Sequence, residues 1–180
     1  MIQLLGFIFI SVLGIISHFL YEWSNHNKYF AIFFAVNEST WEHIKIAVGP
    51  SLLWILIEII FNYSNPNFLF AKVISLLTII LLIPLLHYLY LLIFKKHNFI
   101  FSIFNFLFSI GLGQYLSYLI LKYGNTSNIT NYLSLLIIVI IAICYLTLTC
   151  TPLRNILFKD PITNKYGINA HRKQIQKVSK

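Results

Sequence analysis

Long apolar runs broken by short polar clusters set the pattern of this chain. Charge-free or nearly charge-free stretches cover Met1 to Tyr21, Ile46 to Ile57 (continuing past Glu58), Val73 to Phe94, Asn98 to Leu121 and Tyr132 to Thr151. A bilayer's hydrocarbon core of about 30 Å needs about 20 helical residues at 1.5 Å each. The pattern therefore predicts an all-α, polytopic membrane protein, a bundle of five transmembrane helices. Gly49-Pro50 interrupts the second stretch and Pro84 the third. Each ring removes a donor and frees the carbonyl four residues earlier, at Ile46 and Ile80, so kinks are expected. The fourth stretch carries Asn105, Ser109, Gly113 and Ser117 at four-residue steps, a stripe of small and polar residues that reads as a packing face, with a polar pathway that takes in Gln114 as the rarer alternative.

The segment from Glu22 to Lys45 is mixed. Its apolar run from Tyr29 to Val36 is too short to span and fits a short interfacial segment between the first two helices, with Trp23, Tyr29 and Trp41 at headgroup depth. An ordinary loop with an apolar patch fits it equally well. Ser39-Thr40-Trp41-Glu42 has the form of a capping box, which starts the second membrane helix near Thr40 and assigns Glu42 to the cap.

Composition agrees with the pattern: 58% of the 180 residues are hydrophobic and 10% charged, far too apolar for a soluble domain of this size. The first stretch lacks a basic n-region and a small-residue cleavage pattern, so it is expected to remain as a helix. The chain divides into a transmembrane bundle, 1–153, and a basic tail, 154–180. Basic residues near helix ends favour the cytoplasmic side. With the N-terminus outside, 11 of the 13 lysines and arginines face the cytoplasm, leaving Lys72 and Lys122 outside. This predicts a multi-pass protein of the cell membrane with a cytoplasmic C-terminus. The net charge of +8 calls for no nucleic acid; anionic lipid headgroups at the tail, from Arg154 through His171-Arg172-Lys173 to Lys180, are the expected partner. Cys144 and Cys150 read as unpaired packing residues, and the Asn-, Ile- and Lys-rich composition points to a bacterial source.

Candidate chemistry sits in the polar cluster between the first two helices, which holds Glu22, Glu38 and Glu42, three of the five acidic residues. His18 and Glu22 lie four apart on one helix face. In a five-helix topology both reach the same membrane face as Glu38, Glu42 and His43, with His87 on the third helix and Asp160 after the fifth. Imidazoles and carboxylates together suit a divalent metal such as zinc, with His18, Glu22, Glu42, His43 and His87 as candidate ligands. They equally suit general acid–base work, with Glu38, Glu42 and Glu22 as candidate bases. Tyr21, Trp41, Lys45 and Asp160 complete the candidate pocket. A structural network, in which Glu22 or Glu38 pairs with Lys45 or Lys28, explains the same residues. Glu58 is expected at the interface or paired with a lysine such as Lys72 or Lys122.

Three blocks, His18-Phe19-Leu20-Tyr21-Glu22-Trp23-Ser24, Val36-Asn37-Glu38-Ser39-Thr40-Trp41-Glu42-His43-Ile44-Lys45 and Asp160-Pro161-Ile162-Thr163-Asn164-Lys165-Tyr166-Gly167-Ile168, resemble a family of small bacterial integral-membrane proteins, domain of unknown function sixty-five-twelve. The resemblance covers nearly the whole chain. It implies a multi-pass protein without an assigned activity, in which His18, Glu22, Glu38, Trp41, Glu42, His43 and Asp160 belong to shared motifs. No catalytic role carries over from it. Three function classes stay open: a metal-dependent hydrolase or transferase acting on a membrane-associated substrate, a small transporter or ion-conducting protein, and a non-catalytic scaffold or complex subunit.

Overall fold

A computed structural model describes residues 1–62 and 64–170. The basic end from His171 to Lys180 lies outside the described residues. Six α-helices and one 3-10 turn follow in order: α1 (Ile2–Trp23), α2 (Lys28–Phe33), α3 (Thr40–Asn62), α4 (Phe68–Phe94), α5 (Phe99–Tyr123), α6 (Asn128–Thr147) and the turn Ile156–Phe158. Five of the helices, all but α2, are long and apolar enough to cross a membrane. Their 20 to 27 residues extend about 30–40 Å at 1.5 Å per residue. A helical polytopic bundle is thus what forms.

The bundle is packed inside out relative to a soluble protein. Leu4, Leu5, Ile8 and Val12 of α1 and Leu135, Leu136, Val139 and Ile140 of α6 are exposed, as a hydrocarbon surround requires. Small and polar residues turn inward instead, since apolar side chains gain little by leaving lipid for protein and close backbone approach gains more. On α1 the buried face is Gly6, Ile10, Ser11, Gly14, Ser17 and Tyr21. A Cβ at Gly14 would lie 2.7 Å from the Ile46 carbonyl oxygen, the acceptor that Pro50 leaves without its helical donor. On α5 the stripe Asn105, Ser109, Gly113 and Ser117 is buried throughout; a Cβ at Gly113 would stand 3.0 Å from the Ser75 carbonyl of α4. Both α3 and α4 run through their prolines as continuous helices.

At the end of the bundle that holds the N-terminus, Lys72 and Glu58 form a buried ion pair at 2.6 Å. Lys72 also donates to Ser117 Oγ at 2.9 Å and Gln3 Oε1 at 3.2 Å. Gln3 Nε2 and Asn62 Nδ2 donate to the other oxygen of Glu58 at 2.6 and 3.0 Å. One ion pair with its donors satisfied thus ties α1, α3, α4 and α5 together. Of the two lysine partners foreseen for Glu58, Lys72 is the one it meets. The connections at this end are joined by asparagine: Asn67 Nδ2 donates to the Gly124 carbonyl at 2.9 Å and Asn67 Oδ1 accepts from Thr126 N at 3.0 Å.

At the opposite end the segment between α1 and α3 forms the six-residue helix α2, capped by Asn27, whose Oδ1 accepts from Tyr29 N at 3.0 Å. Tyr29, Phe30 and Phe33 are exposed, while Ala31 and Val36 pack on Tyr21 in a small core of their own. Tyr145 of α6 donates to the Phe33 carbonyl at 2.7 Å. Its ring reaches there by passing Gly49, where a Cβ would stand 2.9 Å from the ring carbon Cζ. Cys144 and Cys150 are both free.

Candidate functional site

The link from α2 into α3 is held by side-chain acceptors rather than by regular structure. Val36 N donates to Glu42 Oε2 at 3.2 Å, Ser39 N to Asn37 Oδ1 at 2.8 Å, and Glu38 N to Asp160 Oδ1 at 3.2 Å. The predicted capping box is therefore replaced. Ser39 N is taken by Asn37, and Glu42 reaches back past the cap to Val36 because its second demand, Lys45, lies on the same buried side. Residues 149–170 fold against this link. Phe158 stacks on Trp41 with ring centroids 4.9 Å apart, and Asn37 Nδ2 donates to the Gly167 carbonyl at 3.0 Å. Gly167 has φ +56, and a Cβ there would stand 2.8 Å from the Thr149 carbonyl oxygen, so glycine answers both the left-handed backbone and the close approach. Asp160, fully buried, accepts from Thr163 N at 2.8 Å and from the Thr163 hydroxyl. Each carboxylate oxygen thus fixes a different strand of the crossing.

Two polar centres result. In the first, Glu38 lies between two imidazoles, with His18 Nε2 at 3.5 Å from Oε1 and His43 Nε2 at 3.8 Å from Oε2. At these lengths neither is a strong hydrogen bond. The carboxylate is 41% exposed and both histidines 27%, so its lone pairs remain available. The two imidazoles stack with centroids 6.0 Å apart. All three side chains line a cavity of about 220 Å³ that also takes in Thr40, His87, Ser102 and Asn105.

The second centre is closed. Glu42 and Lys45 pair at 2.9 Å, with side chains 1% and 0% exposed. Lys45 Nζ donates to the Ala31 carbonyl at 2.9 Å and to Thr149 Oγ1 at 2.7 Å. Thr149 Oγ1 lies 3.3 Å from Glu42 Oε1. This ion pair joins α2, α3 and the chain after α6, and it does not line the cavity.

The expected single cluster is thereby divided. Glu42 and His43 are neighbours on α3, about 100° apart around the helix, so one turns to Lys45 and the other to the cavity. Glu22 sits in the last turn of α1, exposed. Of the five candidate metal ligands, His18, His43 and His87 share the cavity while Glu22 and Glu42 lie outside it, and among the described residues no group of three or more His, Cys, Asp or Glu side chains is arranged to hold a metal ion. Of the candidate bases, Glu38 alone lines the cavity. Tyr21, Trp41, Lys45 and Asp160 do not line it. His97, which the sequence did not single out, lies tilted against His87 with ring centroids 5.6 Å apart; lying beyond the end of α4, it escapes any argument from helical periodicity. Ser102, which the sequence did not single out, and Asn105, read from its spacing as part of the α5 stripe, line the same cavity.

A family model matches residues 2–168 of the chain. The chain belongs to DUF6512, a family of unknown function. No curated protein and no solved structure matches it. In this DUF6512 protein the three motif blocks meet at one place: the first brings His18, the second Glu38 and His43, and the third the Asp160 loop that anchors Glu38.

The cavity ends well short of the Glu58 and Lys72 pair. It reaches Ile83 on α4, 11 residues and hence about 16 Å along the helix from Lys72. Ile10, Ile79 and Ile110, all 0% exposed, fill the intervening levels of α1, α4 and α5. Gln114 is buried near the far end and does not line the cavity.

Proposed function

We propose that this DUF6512 protein binds a membrane-associated substrate in the cavity formed by His18, Glu38, His43 and His87 and acts on it by general acid–base chemistry. The observation that carries this reading is the exposed Glu38 carboxylate lying between two imidazoles that do not quench it. Lys45, Lys72 and Asp160 have their neighbours' groups saturated, whereas Glu38 keeps capacity to take a proton. The reaction class that suits it is hydrolysis or group transfer. Glu38 accepts the proton of water or a hydroxyl as its oxygen attacks the substrate and hands that proton on to the leaving oxygen, while the imidazoles hold the reacting groups by hydrogen bonds.

The cavity end is read as cytoplasmic, since among the described residues Lys28, Lys45, Lys95, Lys96, Arg154, Lys159 and Lys165 belong to that end and Lys72 and Lys122 to the other. A conducting path is disfavoured by the isoleucine layer between the cavity and Glu58.

The test is native mass spectrometry of the detergent-purified protein, comparing wild type with Glu38→Gln and His43→Gln. A small amphiphile held by wild type and lost from both variants, at unchanged melting temperature, supports the reading. Identical bound species in all three proteins overturn it.

A further inference from the structure

Resting on that reading, we infer that the occupant is a single-chain amphiphile with a small uncharged, hydroxyl-bearing head, entering sideways from the bilayer between α1 and α5. The cavity joins two unlike surfaces. Its floor is His18, Glu38, His43 and Asn105, and its rim is Ile15 and Phe19 of α1 with Phe99 and Ile103 of α5. All four rim residues are exposed large hydrophobics. They belong to helices long and apolar enough to cross a membrane, so the rim continues the lipid-facing surface rather than a water-facing one. A molecule bridging rim and floor must carry an apolar chain at one end and a hydrogen-bonding head at the other.

Size limits the chain count. At about 220 Å³ the cavity falls below the range of about 300–1,000 Å³ usual for drug-sized ligands. A head and the first carbons of one chain fit, and the remainder of that chain stays in lipid. A two-chain phospholipid does not.

Charge limits the head. Glu38 is the one Asp, Glu, Lys or Arg of the lining, and an anionic head would be driven against it. A hydroxyl donates to the carboxylate and accepts from an imidazole N–H, which uses what Glu38, His18 and His43 present. Asn105 is less free, since its Nδ2 donates to the Ile83 carbonyl at 2.8 Å and its Oδ1 accepts from Ser109 at 3.2 Å.

The full chain is reconstituted in phosphatidylcholine nanodiscs and photolabelled with a monoacylglycerol carrying a diazirine near its head. The expected label falls on residues 15–19 and 99–106. Excess plain monoacylglycerol should reduce it at least 5-fold, while the same chain bearing a phosphate head should not compete. Ile103→Trp, which narrows the rim without touching the floor, should abolish it. Labelling confined to other helices, or competition by the alkyl phosphate equal to that by monoacylglycerol, overturns this inference. If the alkyl phosphate binds and Glu38→Gln or His43→Gln removes that binding, the pocket stands and only the head chemistry is wrong. If neither variant changes capture of any probe, the proposed pocket itself fails.

Discussion

Lys45→Met tests the closed polar centre most directly. The substitution keeps a side chain of similar length and removes the charge that Glu42 meets at 2.9 Å. Two donations are lost with it, to the Ala31 carbonyl and to Thr149 Oγ1. Glu42 Oε2 is left with the Val36 amide at 3.2 Å as its remaining donor. Breaking a buried pair from one side costs about 3–5 kcal/mol, because the other charge stays buried without compensation. For a chain of this length about 1 kcal/mol shifts the melting temperature by about 2–4 °C, so Lys45→Met should melt about 6–20 °C below wild type. The double variant Glu42→Gln with Lys45→Met removes both charges and should recover at least half of that loss, since replacing a whole buried pair is often nearly neutral. Tryptophan fluorescence during heating in detergent reads both. A single variant within about 1 °C of wild type, or a double variant that loses the sum of both singles, would refute the reasoning.

Other consequences are open to measurement. Asp160→Ala leaves the Glu38 and Thr163 amides without their acceptor and should cost about 1–3 kcal/mol; limited proteolysis should then cut within residues 158–168 faster than in wild type. Gly14→Val places a Cβ 2.7 Å from the Ile46 carbonyl oxygen and should cost about 1–3 kcal/mol by overpacking. Gly111→Ala meets Phe7 only at 3.5 Å and should be tolerated, so equal melting losses in the two would contradict the packing argument. For topology, with Cys144 and Cys150 replaced by serine, Lys122→Cys should react with an impermeant maleimide in intact cells and Lys96→Cys only after permeabilisation. Reaction of both from one side would reject the proposed orientation.

The bilayer-spanning helices were legible from composition and run length, because the cost of bare backbone in hydrocarbon leaves a helix as the one local answer for each apolar stretch. The α5 stripe was legible for the same kind of reason: Asn105, Ser109, Gly113 and Ser117 share a helix face whatever surrounds them. Glu58 could be assigned in advance to the interface or to a lysine, since a charge on an apolar helix needs one or the other, yet choosing Lys72 required the register of α4 against α3. The motif blocks mark the segments that the fold brings together, but adjacency in a motif does not decide which way a side chain turns. Glu42 and His43 are joined by a single peptide bond and serve different centres, one locked to Lys45 and Thr149, the other open to the cavity. That division depends on α2 and residues 149–170 closing over one side of α3, the latter through contacts between residues over 100 positions apart. Local sequence fixes helical phase and burial demand; only the packed bundle supplies the partners that turn one buried charge into a tie and leave Glu38 free.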